Sequence, residues 1–158
     1  MSVAFRRESD EEHKEPKFEL PLPAGPNLVT AAGPALIAGK IAALEAAIEA
    51  EGEDEAKESL KRELRYWNTR AATAQVAPPL EDGVAGIGAR VRIRLNGRER
   101  VIEIVGHDEA DPAADRLAFQ APLAHALLGA EEGERIDFGG KAEAIDVLAV
   151  EALQSKVT

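Results

Sequence analysis

The chain has 158 residues, a formal net charge of −10 at pH 7, no cysteine and 4% aromatic residues. Its length fits one domain or two small ones, and the lack of cysteine excludes a disulfide framework, a thiolate zinc site and a cysteine nucleophile. The negative field opposes non-specific binding to a phosphate backbone, so any nucleic-acid role must be local or must work through a protein partner.

Sequence patterns divide the chain into an arm (1–28), a helical hairpin (29–78) and a sheet domain (84–152). The arm contains the proline-rich run EPKFELPLPAGPN, which opposes helices and central strands, so we expect it to be extended or disordered. Its apolar side chains, Phe18, Leu20 and Leu22, would allow its end to dock on the rest of the protein. The start, MSVAFRRESDEEHKE, lacks the apolar core of a signal peptide, and no stretch approaches the ~18 apolar residues of a membrane span. We therefore expect a cytoplasmic protein with no membrane association.

Two runs of apolar residues at spacings of four and three predict two helices, each with a seam along one face. The first run is Ile37, Ile41, Leu44 and Ile48, and the second is Leu60, Leu64, Trp67, Ala71 and Ala74. Thr30 is suited to cap the first helix, and Gly52 is suited to turn the chain within the acidic stretch EAEGEDEAKES. We predict an antiparallel hairpin over 30–51 and 54–76, about 30 Å long, with Trp67 buried near its base.

The sheet domain begins with ARVRIRL (89–95), whose strict alternation of arginine and aliphatic residues predicts a half-buried strand. Asn96-Gly97 is a strong hairpin signal and leads to a returning strand over 98–106. The remaining predicted elements are an acidic loop (107–115), a strand (116–120), a short helix (122–128) and two strands (134–138 and 142–150). Together they predict an antiparallel sheet with one helix against it, and hence an α+β chain.

No motif for an active site is present. Gly33 to Lys40 fails the spacing of a phosphate-binding loop, and the three histidines have no ligand-like spacing. The acids Asp108, Glu109, Asp111 and Asp115 depart from the calcium-loop pattern, so we interpret their loop as solvated. We therefore expect no cofactor and no catalytic residue.

The stretch IVGHDEADPAADRLAFQAPLAHALLGAEEGERI (104–136) resembles the C-terminal domain of the GreA/GreB transcription elongation factors. NLVTAAGPALI (27–37) and TAQVAPP (73–79) resemble the entry and exit of the helical hairpin in that family. Over roughly 27–152, the resemblance implies a coiled-coil hairpin followed by an FKBP-like domain. It also implies a monomeric partner of bacterial RNA polymerase, in which the FKBP-like domain binds the rim of the secondary channel and the coiled coil enters it.

In the family, carboxylates at the hairpin tip help to hold the polymerase's second catalytic magnesium, so that the polymerase cleaves backtracked RNA. The factor makes no bond itself, so the resemblance implies no enzyme and no metal other than the polymerase's own. The positions implied here are Gln120, Pro122 and Leu123 for polymerase binding, Glu51, Glu53, Asp54 and Glu55 at the tip, and Lys61, Arg62 and Arg65 as a basic patch facing nascent RNA.

The sequence departs from the family at both predicted contact sites. The family's tip motif is absent, and each arm is shorter by about ten residues, which retracts the tip by roughly 15 Å. A carboxylate must lie about 2 Å from magnesium to bind it, so we interpret the tip acids as a shielded turn or a contact to basic channel walls. At the rim, Ala121 stands where the family has serine, and His125 stands where it has arginine.

Three functions remain open at this point. The chain is a Gre-type factor that stimulates cleavage, a Gre-like regulator that occupies the channel without stimulating cleavage, or a coiled-coil adaptor with no link to polymerase. A prolyl isomerase is disfavoured, because only Phe119 and Phe138 in this domain are available to line an aromatic pocket.

Overall fold

A computed structural model describes residues 19–153. Within them the chain forms two compact units. The hairpin unit comprises residues 19–25 and 37–73, and the sheet unit comprises residues 26–36 and 74–153. Two consecutive long helices precede a sheet that packs one short helix, so the predicted α+β class is confirmed. Within the described range, no helix is long and apolar enough to cross a membrane.

The predicted helical hairpin is present. Helix α1 spans Gly33–Ala50 and helix α2 spans Asp54–Thr73. Their 18 and 20 residues correspond to lengths of about 27 and 30 Å at 1.5 Å per residue. The helices are antiparallel. Lys40 Nζ, in the first half of α1, lies 5.8 Å from the centre of the Trp67 ring, in the second half of α2. Residues nearer the turn, from the end of α1 and the start of α2, line one shared groove.

The seam of the hairpin is only partly as predicted. Its aliphatic members are half-buried, except Ile37, which is fully buried. Trp67 is half-buried rather than buried, and its ring meets Tyr66 edge-on with centroids 5.2 Å apart. Ala71 was expected in the seam but is exposed, whereas the neighbouring Arg70 is buried and lies over the Tyr66 ring. A long arginine stem covers more apolar surface than alanine does, which favours this arrangement.

A short strand pair, which the sequence did not reveal, joins the two chain ends of the hairpin. Strand β1 (Leu28–Val29) pairs in parallel with strand β2 (Gln75–Val76). The prediction that α2 continues to residue 76 is therefore wrong, because the backbone after Thr73 bonds to this partner instead of to the preceding turn. The Gln75 N–H donates to the Asn27 carbonyl at 2.8 Å, and the Ala77 N–H donates to the Val29 carbonyl at 2.9 Å.

The sheet unit contains a five-stranded sheet and one short helix. Its strands are β3 (Ala89–Leu95), β4 (Arg98–Val105), β5 (Arg116–Ala118), β6 (Arg135–Phe138) and β7 (Lys141–Ala152), and helix α3 spans Pro122–Leu127. The strand order is β5-β4-β3-β7-β6. All pairs are antiparallel except β4 and β5, which run parallel. The predicted purely antiparallel sheet is thus corrected to a mixed one.

The parallel pair follows from the loop between β4 and β5. Two 3-10 turns carry the chain back, so that Arg116 begins β5 beside Glu103 of β4. A tight turn at this point would have produced an antiparallel neighbour, whereas a parallel neighbour requires such a returning connection.

The turn between β3 and β4 is the one that the sequence predicted. Asn96 has a φ of 52° and Gly97 a φ of 86°, the left-handed values that a tight turn of this kind requires. Along β3, Val91 and Ile93 are fully buried, while Arg92 and Arg94 point to solvent. The core beneath β3 also includes Ile102, Ile104, Leu127, Ile145 and Val147.

Candidate functional site

The tip of the hairpin is a three-residue turn, Glu51-Gly52-Glu53, between α1 and α2. The Glu53 N–H donates to a carboxylate oxygen of Glu51 at 3.1 Å, and the Lys57 N–H donates to the Glu53 carbonyl at 2.9 Å. Glu53, Asp54 and Glu55 are exposed, whereas Glu51 is half-buried. The acids therefore lie at the end of the hairpin, as predicted.

Part of this acidity has a local structural reason. Asp54 and Glu55 occupy the first turn of α2, where the partial positive charge of the helix N-terminus favours negative side chains. Across residues 19–153, no group of three or more histidine, aspartate or glutamate side chains is arranged to hold a metal ion. The tip thus presents separate exposed carboxylates and not a preformed ligand set.

The three basic residues predicted as one patch lie on two faces of α2. Lys61 and Arg65 are one turn apart and line the groove between the helices, together with Glu45 and Glu49. Arg62 instead lines a depression with the tip acids Glu53 and Glu55 and with Glu58 of α2. The Lys61 ammonium lies 3.8 Å from a Glu58 carboxylate oxygen in an exposed pair. The candidate basic face is therefore Lys61 with Arg65, without Arg62.

Arg65 has a partner that the sequence analysis missed. The Glu19 carboxylate accepts hydrogen bonds from Arg65 Nε at 3.1 and 3.2 Å and from Arg65 Nη2 at 2.6 Å. The hydrogen bond to Arg65 lowers the pKa of Glu19 below its usual value, and it raises the pKa of Arg65 in turn. No sequence signal could have identified a pair separated by 46 residues, one of them in the arm.

The predicted polymerase-binding residues lie where β5 leads into α3. Gln120 and Pro122 are exposed, and Pro122 occupies the start of α3, where its missing N–H costs nothing. Leu123 is buried and belongs to the core of the sheet unit, so its side chain supports α3 rather than facing a partner. The loop is held by the N–H of Phe119, which donates to the Val105 carbonyl at 2.9 Å.

The acidic loop after β4 is solvated only in part: Asp111 is exposed as expected, whereas Glu109 is buried. Its Oε1 accepts hydrogen bonds from the N–H groups of Gly106 at 2.9 Å and Thr30 at 3.0 Å, and its Oε2 accepts a hydrogen bond from the Thr30 hydroxyl. Asp115 is paired with Arg100, whose Nη2 lies 2.7 Å from a carboxylate oxygen of Asp115. The loop is therefore a structural connection between the chain before α1 and the end of β4.

Comparison with known proteins gives a family match within the sheet unit. Residues 80–152 match the family described as "Transcription elongation factor, GreA/GreB, C-term". The transcription elongation factor GreB of Neisseria meningitidis serogroup A is 33% identical over 102 residues, covering 60% of this chain and 62% of that protein. GreA of Sinorhizobium medicae is 37% identical over 68 residues, covering 40% of this chain and 43% of that protein.

Among solved structures, the GreA factor homolog Gfh1 of Thermus thermophilus aligns at 16% identity over 81% of this chain and 100% of that one, with a TM-score of 0.38. The matches to GreB and GreA each span less than two thirds of the relative's length. Residues 80–152 are thus similar to the C-terminal domain of the GreA/GreB transcription elongation factors, and a longer stretch of the chain is similar to GreB.

Proposed function

We propose that this protein binds bacterial RNA polymerase at its secondary channel and regulates elongation, with its sheet unit on the channel rim and its hairpin inside. The match to a GreA/GreB C-terminal domain over residues 80–152 carries this proposal. The exposed pair Gln120 and Pro122 offers a surface for the rim, and the acidic turn offers a negatively charged end for the channel. In this function the chain itself catalyses no covalent step and uses no cofactor of its own.

A second observation favours regulation without stimulation of RNA cleavage. The helices of the hairpin have only 18 and 20 residues, which limits them to about 27 and 30 Å. Carboxylates that coordinate the polymerase's magnesium must come within about 2 Å of it. A tip that stops short of the metal by several helical turns supplies charge to the channel but no ligand.

The decisive experiment is RNA cleavage by a stalled, backtracked elongation complex, with and without this protein. The test variant replaces Glu53, Asp54 and Glu55 together with alanine. We expect the wild type to give little stimulation and the variant to behave in the same way. If the tip does reach the magnesium, the variant will lose orders of magnitude in cleavage rate with its binding intact, as expected for a contact made only in the transition state.

A polymerase pull-down separates this function from that of a coiled-coil adaptor. The full chain should retain polymerase, and the tip variant should retain it nearly as well. Any loss caused by the tip substitutions should shrink at high salt, because exposed charge contacts are screened. If the wild-type chain retains no polymerase, the channel-binding proposal is wrong.

A further inference from the structure

The turn between β3 and β4 contains a chemically reactive pair of residues, Asn96 and Gly97. Both are exposed, and both lie beyond the last pair of the ladder, which joins Leu95 to Arg98. Asn96 is also the only asparagine of the chain that is followed by glycine. No atom other than those of its chain neighbours lies within 4 Å of the place where a Cβ would stand on Gly97. The backbone nitrogen of Gly97 is therefore unshielded next to the Asn96 side-chain amide.

The neighbouring hairpin brings a cation to the same amide. Lys141 is the first residue of β7, and its ammonium donates to Asn96 Oδ1 at 3.4 Å. The backbone of Asn96 is held against β7 as well, because its N–H donates to the Ala144 carbonyl at 3.2 Å. When a nucleophile adds to an amide carbon, the amide oxygen gains negative charge, and a nearby cation stabilises that charge. Lys141 is thus positioned to assist an attack on the Asn96 side chain.

We propose that this turn is a site of spontaneous deamidation, in which the Gly97 nitrogen attacks the Asn96 side chain with the assistance of Lys141. A hydroxide ion from solvent takes the Gly97 amide proton, and the nitrogen forms a bond to Asn96 Cγ. The bond from Cγ to Nδ2 breaks, and the departing nitrogen takes a proton from water and leaves as ammonia. Water then opens the cyclic imide at either carbonyl, which gives aspartate or isoaspartate. The new acid passes its proton to the ammonia, so the net reaction consumes water, releases ammonium and needs no oxidant or reductant.

The two products differ in their effect on the sheet unit. Aspartate keeps the path of the backbone and places a carboxylate beside the Lys141 ammonium, where the amide stood before. Isoaspartate carries the backbone through the former side chain and lengthens the turn by one carbon. Because a two-residue turn fixes the register of β3 against β4, the isoaspartate form loosens their pairing. The modification acts within the sheet unit and does not depend on polymerase binding.

The test incubates the full chain in a mildly alkaline buffer and follows each asparagine over time by peptide mass spectrometry. Asn68 is the matched control within the same molecule, since it is exposed but lies inside α2 and precedes the β-branched Thr69. We expect the amide to be lost at Asn96 and retained at Asn68. Lys141→Gln should slow the loss at Asn96 by about two- to five-fold, the scale of one exposed charge contact. Lys141→Arg keeps the positive charge and should restore most of the wild-type rate.

Two results would overturn this proposal. Equal rates of loss at Asn96 and Asn68 would show that the turn confers no reactivity. A rate in Lys141→Gln equal to that of the wild type would show that the ammonium gives no assistance. Circular dichroism of each variant, recorded before incubation, checks that the rates are compared between folded proteins.

Discussion

Replacing Glu109 with alanine removes the acceptor of three hydrogen bonds at once. Its carboxylate is buried with 5% of the residue exposed, and it bonds the N–H groups of Gly106 and Thr30 and the Thr30 hydroxyl. Hydrogen bonds to a charged group contribute about 1.5–3 kcal/mol each, and the cost of burying the carboxylate offsets part of that sum. We expect Glu109→Ala to lower the free energy of unfolding by about 3 kcal/mol.

Urea denaturation of the full chain, followed by far-UV circular dichroism, measures this loss. Glu109→Gln keeps one carbonyl oxygen for the two N–H groups, so it should cost less, about 1 kcal/mol. Glu81→Ala serves as the control at an exposed glutamate and should change the stability by less than about 0.5 kcal/mol. If Glu109→Ala costs no more than this control, the buried contact does not stabilise the sheet unit and the reasoning fails.

Three further predictions concern single positions. Pro122→Glu should weaken polymerase binding in a pull-down and leave the helical signal in circular dichroism unchanged. Unchanged affinity would mean that polymerase contacts a different surface of the protein. Carboxyl NMR of Glu19 should give a pKa below its ordinary 4.5 in the wild type and a value closer to 4.5 in Arg65→Gln. The stabilisation from this pair is thus present above pH 4.5 and is lost as the pH falls through the lowered pKa. Gly106→Ala should cost about 1–3 kcal/mol in urea denaturation, because its new Cβ would lie 2.5 Å from the Leu28 carbonyl oxygen, and a stable variant would contradict that close approach.

Where the local residue pattern determines the structure, the sequence was sufficient to predict the bounds of the elements. The alternation of arginine and aliphatic residues gave the bounds of β3 correctly, and Asn96-Gly97 gave its turn. The predicted start of α2 at residue 54 also agrees, because a glycine and a run of acids mark a helix N-terminus strongly. These features depend on neighbours a few residues apart, which a sequence displays directly.

Features that depend on distant partners were missed. The two-residue strands β1 and β2 are too short for any periodicity, and they form only because each supplies the other's hydrogen bonds. Glu109 lies in an acid-rich loop that we interpreted as solvated, and two of the three hydrogen bonds that favour its burial come from the distant Thr30. Leu123 matched a family position for polymerase binding, but its side chain is packed in the core of the sheet unit.

The pairing of β1 with β2 has a consequence for how the length of this protein can vary in evolution. The ladder pairs Leu28 with Gln75 and Val29 with Val76, so the chain leaves and re-enters the sheet unit at one place. The hairpin is, in topological terms, an insertion between two adjacent points of another unit, and insertions of this kind are readily tolerated. Equal numbers of residues can be deleted from, or added to, the two helices at their tip without altering the ladder. Natural variants or designed chimaeras could therefore change the reach of the hairpin while the sheet unit keeps its sequence.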